Sequence, residues 1–361
     1  MNRRDIYYWK CDRPAAFHGT QQQRVPQPGL EENLIAAMRR RFNARHISIS
    51  QTASQGHHLT WRAQVDGKPM FVRVQDGEDD DGHLKIESDL MKAVSLHGVP
   101  TPEVFVMEKR TPFYPFAWQA MELVPHPDLN HWFKKGDLDV ASIAFGIGAA
   151  VAKWQGIQPM GFGPLETPSR PRPSALVAGH TSYRAYFHVR LDQHLTFLTD
   201  RGFIDAALRS EIEGAITEHA PLLDLPQGCL VHKDLALWNI LGTQDRIAAF
   251  IDFEDAISGD EMDDLSLLAC FHDTAFVAQA FEGYLSVRPL PSEHRRRFWL
   301  HLLRNMIVKA VIRVGAGYFD RDAQFFLIGT GDTGADLRAF TLQRIHLALQ
   351  GLRTDSDFSL L

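Results

Sequence analysis

The dominant hydrophobic period changes near Pro125, from strand-like to helical, and that change constrains the fold more than any other feature of the sequence. Ahead of it, apolar residues alternate at a period of two in "LTWRAQV" and "MFVRVQ", with further strand-like runs at 103–107 and 116–123. Behind it they recur at three and four residues over 140–155, 183–201, 204–219 and 294–352. Side chains on a strand alternate between two faces, whereas those on a helix share a face every 3.6 residues. The spacing therefore predicts three parts: a polar, turn-rich extension over 1–30, a strand-rich lobe over 31–124 and a mostly helical lobe over 125–361. The fold class that follows is α+β.

Within the strand-rich lobe, two runs meet at Asp66-Gly67, a dipeptide suited to a tight type I′ hairpin. A helix is expected over 30–42 and another over 82–96, the second stopped by Gly98 and Pro100. Leu84, Glu87, Leu90, Met91 and Val94 fall on one face of that second helix, which sets a carboxylate in an apolar stripe. A buried carboxylate needs a partner, and the preceding strand offers Arg73, on the same face as Phe71.

Composition excludes several classes. The chain has 361 residues, 45% of them hydrophobic, enough to bury a substantial core, and a formal charge of -6 gives no general attraction to nucleic acid or to anionic lipid. Cys11, Cys229 and Cys270 are odd in number and lack metal-ligand spacing, so buried thiols in a reducing cytoplasm are expected. The first residues contain no apolar core of signal-peptide length, and no segment is long enough to span a bilayer.

"VHKDLALWNIL" over 231–241 places His232, Asp234 and Asn239 among apolar residues, and the strand-like "IAAFI" then delivers Asp252 at its end. Asn239 and Asp252 offer the oxygen donors that suit a hard cation such as Mg²⁺. Asp234 is then free to orient a hydroxyl and accept its proton. Positioned hydroxyl, base and metal are the components of phosphoryl transfer. Glu254 and Asp255, beside the metal position, are read as supporting or surface groups, and His57 and His58 as exposed loop residues.

His232, Asp234 and Asn239 in H-x-D-x-x-x-x-N order, "IDF" at 251–253 and G-D-x-x-x-D-L at 259–265 together resemble the aminoglycoside phosphotransferase and choline kinase family. The resemblance runs from the loop at Gly56 to about Leu352. It implies a two-lobed protein-kinase-like fold, a small antiparallel-sheet lobe joined to a mostly helical one, with ATP and Mg²⁺ as cofactors. It makes Asp234 the catalytic base and Asn239 and Asp252 the metal ligands, with Arg73 touching phosphate and Glu87 holding Arg73. Gly56 falls in the phosphate-covering hairpin, and the backbone at Glu122 and Leu123 in the hinge that meets adenine. His232 and Asp264 brace the catalytic loop. Two positions depart from the family: Arg73 replaces the usual Lys, and Lys233 stands where many relatives have Gly, its charge within reach of phosphate.

The resemblance implies transfer of the γ-phosphate to a hydroxyl of a small molecule, such as a sugar, amino alcohol, hydroxy acid or aminoglycoside-like compound. The rival readings are a pseudokinase or scaffold and a Ser/Thr protein kinase, the latter lacking an A-P-E segment after "DFEDA". No nucleic-acid or membrane partner is expected. Arg184, Arg190 and Arg313 are candidate acceptor residues, and guanidinium groups there favour a neutral polyol or an anionic acceptor over a polycation. Asp192, Asp320, Asp322, Asp332 and Asp336 lie in the same segments and support the opposite, acidic pocket.

Overall fold

The computed structural model describes residues 3–12, 26–52, 58–75, 82–166, 176–321 and 333–361. It divides into two compact units, one comprising Thr20–His126 with Ala248–Glu254, the other Met1–Gly19 with Pro127–Ile247 and Asp255–Leu361. The short helix α1 (Trp9–Asp12) belongs to the second, helical unit.

The strand-rich unit contains α2 (Leu30–Phe42), β1 (Ile47–Gln51), β2 (Leu59–Val65), β3 (Lys68–Gln75), α3 (His83–Leu96), β4 (Val104–Glu108) and β5 (Ala117–Glu122). Its five strands form one antiparallel sheet in the order β1-β2-β3-β5-β4. The β2–β3 turn has two residues, with Val65 opposite Lys68 and positive φ at both Asp66 (47°) and Gly67 (84°), the type I′ geometry. The Asp66 carboxylate also accepts the His46 amide at 2.8 Å, which ties the hairpin to the start of the sheet. Leu59, Trp61, Ala63 and Val65 alternate inward on β2 and pack with Leu34 and Met38 of α2. The apolar stripe of α3 is buried, Glu87 included.

The helical unit continues with α4 (Leu129–Lys135), α5 (Val140–Trp154), β6 (Phe162–Glu166), β7 (Val177–His180), α6 (Tyr183–Phe187), α7 (Leu191–Asp200), α8 (Ala206–Glu218), β8 (Cys229–Val231) and β9 (Ile240–Gly242). After β10 (Ile247–Phe250) come β11 (Ile257–Gly259), α9 (Asp263–Leu268), α10 (Thr274–Leu285), α11 (His294–Gly315) and α12 (Gly334–Thr354). A small antiparallel sheet orders its strands β7-β6-β11-β8. Helices α5 and α10 touch backbone to backbone: a Cβ on Gly148 would stand 1.7 Å from the Ala280 carbonyl oxygen, and one on Gly283 would stand 1.9 Å from that of Phe145. Only glycine permits that approach. Helix α11 forms the centre of the unit, with Trp299, Leu303, Met306 and Ala310 fully buried.

Two expectations are corrected. The single helix read over 183–201 is two, broken where Arg190 adopts φ 59° and where Arg304 of α11 draws the Phe187 and Val189 carbonyls out of helical pairing. The group of helices expected over 294–352 contains the two long helices α11 and α12. The extension assigned to 1–30 is not uniformly a polar cover, because Ile6, Tyr7, Tyr8 and Cys11 are buried in the helical unit. All three cysteines are free, buried thiols, and burial raises each of them.

His272 is buried in a stack with Phe276, ring centroids 3.7 Å apart, and its Nε2 has no hydrogen-bond partner among the described residues. Burial pushes this imidazole down from 6.5 to about 3. A folded-state value below the unfolded one means that the unfolded chain binds the extra proton, so stability from this group is complete above 6.5 and declines as pH falls toward 3. Thermal unfolding of His272→Phe followed between those limits should show a shallower loss of stability on acidification than the parent. Equal slopes would remove His272 as the cause.

Candidate functional site

In the helical unit, β8 runs into the loop that carries His232, Lys233 and Asp234, all three buried. The Asp264 carboxylate, at the start of α9, accepts the His232 amide (2.9 Å), the Lys233 amide (3.1 Å) and the Trp154 indole N–H (3.1 Å). Burial raises this carboxyl, and the His232 side chain and the two amide bonds oppose the rise. His232 accepts the Asp234 amide on Nδ1 at 3.3 Å. The tautomer thus has its proton on the other ring nitrogen.

Lys233 holds φ at 70°, the left-handed backbone that glycine adopts freely. Its ammonium does not face outward. It donates to Asp263 at 2.8 Å, to the Asn305 carboxamide oxygen at 3.1 Å and to the Tyr7 hydroxyl at 3.1 Å. The expectation that its charge reaches phosphate is therefore corrected: that charge is matched by a buried carboxylate. Burial alone lowers an ammonium, yet Asp263 raises this one overall.

Asp234 is 1% exposed, and four groups crowd its carboxylate. The Tyr8 hydroxyl donates to Oδ1 at 2.6 Å and Lys10 Nζ to Oδ2 at 2.8 Å. Lys309 Nζ lies 3.5 Å from Oδ1, and the Asn239 carboxamide nitrogen donates to Oδ2 at 3.1 Å and to the Asp234 carbonyl at 2.8 Å. Burial pushes the Asp234 carboxyl up, but Lys10 and Lys309, then the bonds from Lys10 and Tyr8, outweigh it and hold the group well below the usual carboxylate range. Because the Asn239 nitrogen is engaged by Asp234, its oxygen is the atom left to ligate a cation.

Residues 3–12 bring Tyr8 and Lys10 to this carboxylate, and they are firmly anchored. Tyr7 stacks on Tyr186 at 4.9 Å, its carbonyl accepts the Tyr186 hydroxyl at 2.8 Å, and the buried Arg304 guanidinium lies 3.6 Å from its ring centroid. Arg190 donates to the Asp5 carbonyl, and Arg4 pairs with Glu166. The Asp12 carboxylate accepts the Tyr7 and Tyr8 amides and bonds His194 Nε2 at 2.6 Å, while Arg304 meets His194 Nδ1 at 3.1 Å. Cys11, Asp12 and His194 have donor atoms close enough for a metal ion. The same atoms close a hydrogen-bond network that already accounts for them.

In the strand-rich unit, Arg73 on β3 reaches three carboxylates. One of its nitrogens donates to both Glu87 oxygens at 2.5 Å, and the other to Glu254 at 3.2 Å and Asp252 at 3.4 Å. Burial lowers a guanidinium, but these carboxylates together hold Arg73 above its ordinary range. Burial pushes the Glu87 carboxyl up to about 7 against the pull of Arg73. Both Glu87 oxygens lie against the guanidinium, so the pair is ionic. Asp252, with φ 68°, keeps about a third of its side chain exposed. His58, expected on an exposed loop, is instead buried and bonded to Glu254 at 2.8 Å. At the end of β5 the Glu122 amide donates to the Glu103 carbonyl at 2.8 Å, and Leu123 is half-buried.

Gly56, His57, Asp322 and Asp332 lie outside the described residues. Arg184 pairs with Asp224 and donates to the Ala220 carbonyl, Arg190 donates to Asp5 and Gln193, and Arg313 is buried against Thr341 and the Cys270 carbonyl. All three guanidiniums expected to meet the acceptor thus make contacts internal to the fold, and the cations that stand beside Asp234 are Lys10 and Lys309. Asp192 pairs with Arg209, and Asp336 caps α12.

A family model described as the phosphotransferase enzyme family matches residues 48–299. The chain belongs to that family. A search of curated proteins finds no match. Among solved structures, the aminoglycoside phosphotransferase APH(4)-Ia is similar with a TM-score of 0.60 at 18% identity, over 89% of this chain and 99% of that one. A putative fructosamine-3-kinase from Thermobifida fusca scores 0.57 at 21% identity, over 87% and 99%. The macrolide 2'-phosphotransferase MphH from Brachybacterium faecium scores 0.51 at 16%, over 79% and 93%. The fold is the protein-kinase-like one, mixed α and β, and the chain is a small-molecule phosphotransferase by family. Among the described residues no helix is long and apolar enough to cross a membrane.

Lys233 gives this site a testable prediction. Removing one partner of a fully buried ion pair costs about 3–5 kcal/mol because the other charge is left unmatched. Lys233→Met should therefore lower the unfolding free energy by about that amount in urea titration, and Lys233→Met with Asp263→Asn should recover part of it. A loss under about 1 kcal/mol would show that the pair is not what holds this backbone.

Proposed function

We propose that this chain is an ATP- and Mg²⁺-dependent O-phosphotransferase that moves the γ-phosphate to a hydroxyl of a small molecule. The observation that carries the reading is Asp234: a buried carboxylate on a loop braced by Asp264, with the Asn239 carboxamide bonded to it. The acceptor hydroxyl gives its proton to Asp234 while its oxygen forms the bond to the γ-phosphorus. The bond to the bridging oxygen breaks, and ADP leaves.

The donor set suits magnesium, which takes carboxylate and carboxamide oxygens and keeps waters and phosphate oxygens for its other positions. Asp252, partly exposed and only weakly engaged by Arg73, and the oxygen of Asn239 are the proposed ligands. Bound there, the ion supplies charge against the departing phosphates. Arg73 is the proposed phosphate contact, Glu87 its holder, and the Glu122–Leu123 backbone the adenine-facing hinge. The APH(4)-Ia structures include ternary complexes with AMP-PNP and hygromycin B, which supports nucleotide and small-molecule binding as the reading for this family member.

Asp234→Asn should lower turnover by about 10²–10⁴-fold with little change in Mg-ATP affinity. Turnover near that of the parent removes Asp234 as the base. For the metal, Asp252→Ala should weaken Mg-dependent ATP binding in calorimetry more than Asn239→Ala does, since only the former deletes a formal charge. The reverse order reassigns the two ligands.

A further inference from the structure

Helix α11 carries Lys309 and, one turn later, Arg313, and the two meet different surroundings. Lys309 lies 3.5 Å from the Asp234 carboxylate. Arg313, 2% exposed, donates to the Thr341 hydroxyl of α12 at 2.8 Å and to the Cys270 carbonyl at 3.4 Å. Arg344 stands one turn beyond Thr341 on α12 and is 4% exposed. Its Nη2 donates to the His272 carbonyl at 3.0 Å, while its buried Nε and Nη1 have no hydrogen-bond partner among the described residues. Two guanidiniums from different helices thus converge on residues 270–272, just past the end of α9, and the groups they bond there are neutral: one hydroxyl and two carbonyls.

A guanidinium taken out of water needs an anion or a full set of acceptors in place of its hydration. The carbonyls at a helix C-terminus welcome a cation, and this accounts for the bonds to Cys270 and His272. It does not account for Nε and Nη1 of Arg344. The Phe340 ring, 4.9 Å from that guanidinium, offers its face but no hydrogen-bond acceptor of ordinary strength. Nor do the nearby acidic groups serve. Burial pushes the Cys270 thiol up to about 11, so it is uncharged at neutral pH, and the Asp273 carboxylate accepts the Phe276 amide at 3.0 Å as the cap of α10 and attracts Arg344 without bonding it. Burial lowers both guanidiniums, Arg313 from 12.5 to about 10, which leaves them cationic at neutral pH. We propose that Arg344 and Arg313, brought together by Thr341 and residues 270–272, form a binding site for a small oxyanion, a phosphate, sulfate or carboxylate, inside the helical unit. Its oxygens take the N–H groups of Arg344 Nε and Nη1, planar donors whose geometry matches such groups. The site does not depend on the phosphotransferase reading.

The test uses the full-length protein. Calorimetric titration and thermal unfolding are run with sodium phosphate, sulfate and acetate, ionic strength being held constant with chloride. The parent should bind at least one of the three saturably, with a matching rise in Tm. Which one binds separates a tetrahedral anion from a carboxylate. A Tm that only climbs in proportion to concentration is the general effect of salts excluded from the protein surface, and it overturns the proposal, as does no response to any of the three. Arg344→Met should weaken the binding by about tenfold or more, the loss expected when a charge-assisted hydrogen bond is deleted. A smaller change places the bound anion elsewhere in the chain and overturns the proposal. Should Arg344→Met not fold, Arg313→Lys decides by the same comparison, because it keeps the charge and loses the planar fork.

Discussion

Two adjacent carboxylates at the start of α9, Asp263 and Asp264, hold the loop that carries His232, Lys233 and Asp234. Asp264 takes the amides of His232 and Lys233, and Asp263 takes the Lys233 ammonium. The two bonds types act on different parts of one residue: the first fixes its backbone, the second the side chain that its left-handed φ makes awkward. Asn305 of α11 donates to Asp263 and accepts from Lys233, so the central helix is tied to the same pair. The orientation of Asp234 is thus a consequence of contacts that it does not make itself.

A different economy operates in the strand-rich unit, where one guanidinium serves Glu87, Glu254 and Asp252. Glu254 also bonds the buried His58 at 2.8 Å. Glu254 is held well below the usual range, burial pushing it up and His58 and then Arg73 more than compensating. Asp252 has the longest of the Arg73 contacts and the most exposed carboxylate of the three. A partly exposed carboxylate oxygen is a donor of the kind a hard divalent cation takes. Arginine in place of lysine suits this arrangement, because a planar fork can address several carboxylates from separate nitrogens and a single ammonium cannot do so with the same geometry.

The parts of this fold that were legible in the sequence are those written in local chemistry. Asp66-Gly67 encodes its own turn, the stripe on α3 encodes both its buried face and the need for a partner at Glu87, and the H-x-D-x-x-x-x-N spacing marks the loop at 232–239. What was not legible depends on contacts between residues far apart in the chain. The break between α6 and α7 is made by Arg304, more than a hundred residues downstream. Residues 3–12 read as polar because Arg3, Arg4, Asp5, Lys10 and Asp12 dominate the composition, yet Tyr7, Tyr8 and Cys11 are the residues that fix their place. One signal was available: "IYYW" is a run of four large apolar or aromatic residues, dense for a segment meant to lie in solvent. Arg313 misled for the converse reason, since its helical face was judged by its neighbours, whereas Thr341 on another helix determines its partner.

The contacts around Asp234 also separate two properties that are easily merged, the charge of a base and its availability. Lys10 and Lys309 keep the carboxylate ionised, as the proposed base role requires, but a cation held on its oxygens also competes with any hydroxyl placed there. The conflict is resolved if the two ammonium groups have different duties. Lys309 approaches Oδ1 no closer than 3.5 Å from a buried position on α11, near enough to favour the charge without filling the oxygen's bonding position. Lys10 makes the short contact from an exposed stem. A buried cation at 3.5 Å and a partly exposed one at 2.8 Å both favour the ionised carboxylate, and only the second occupies a bonding position on it.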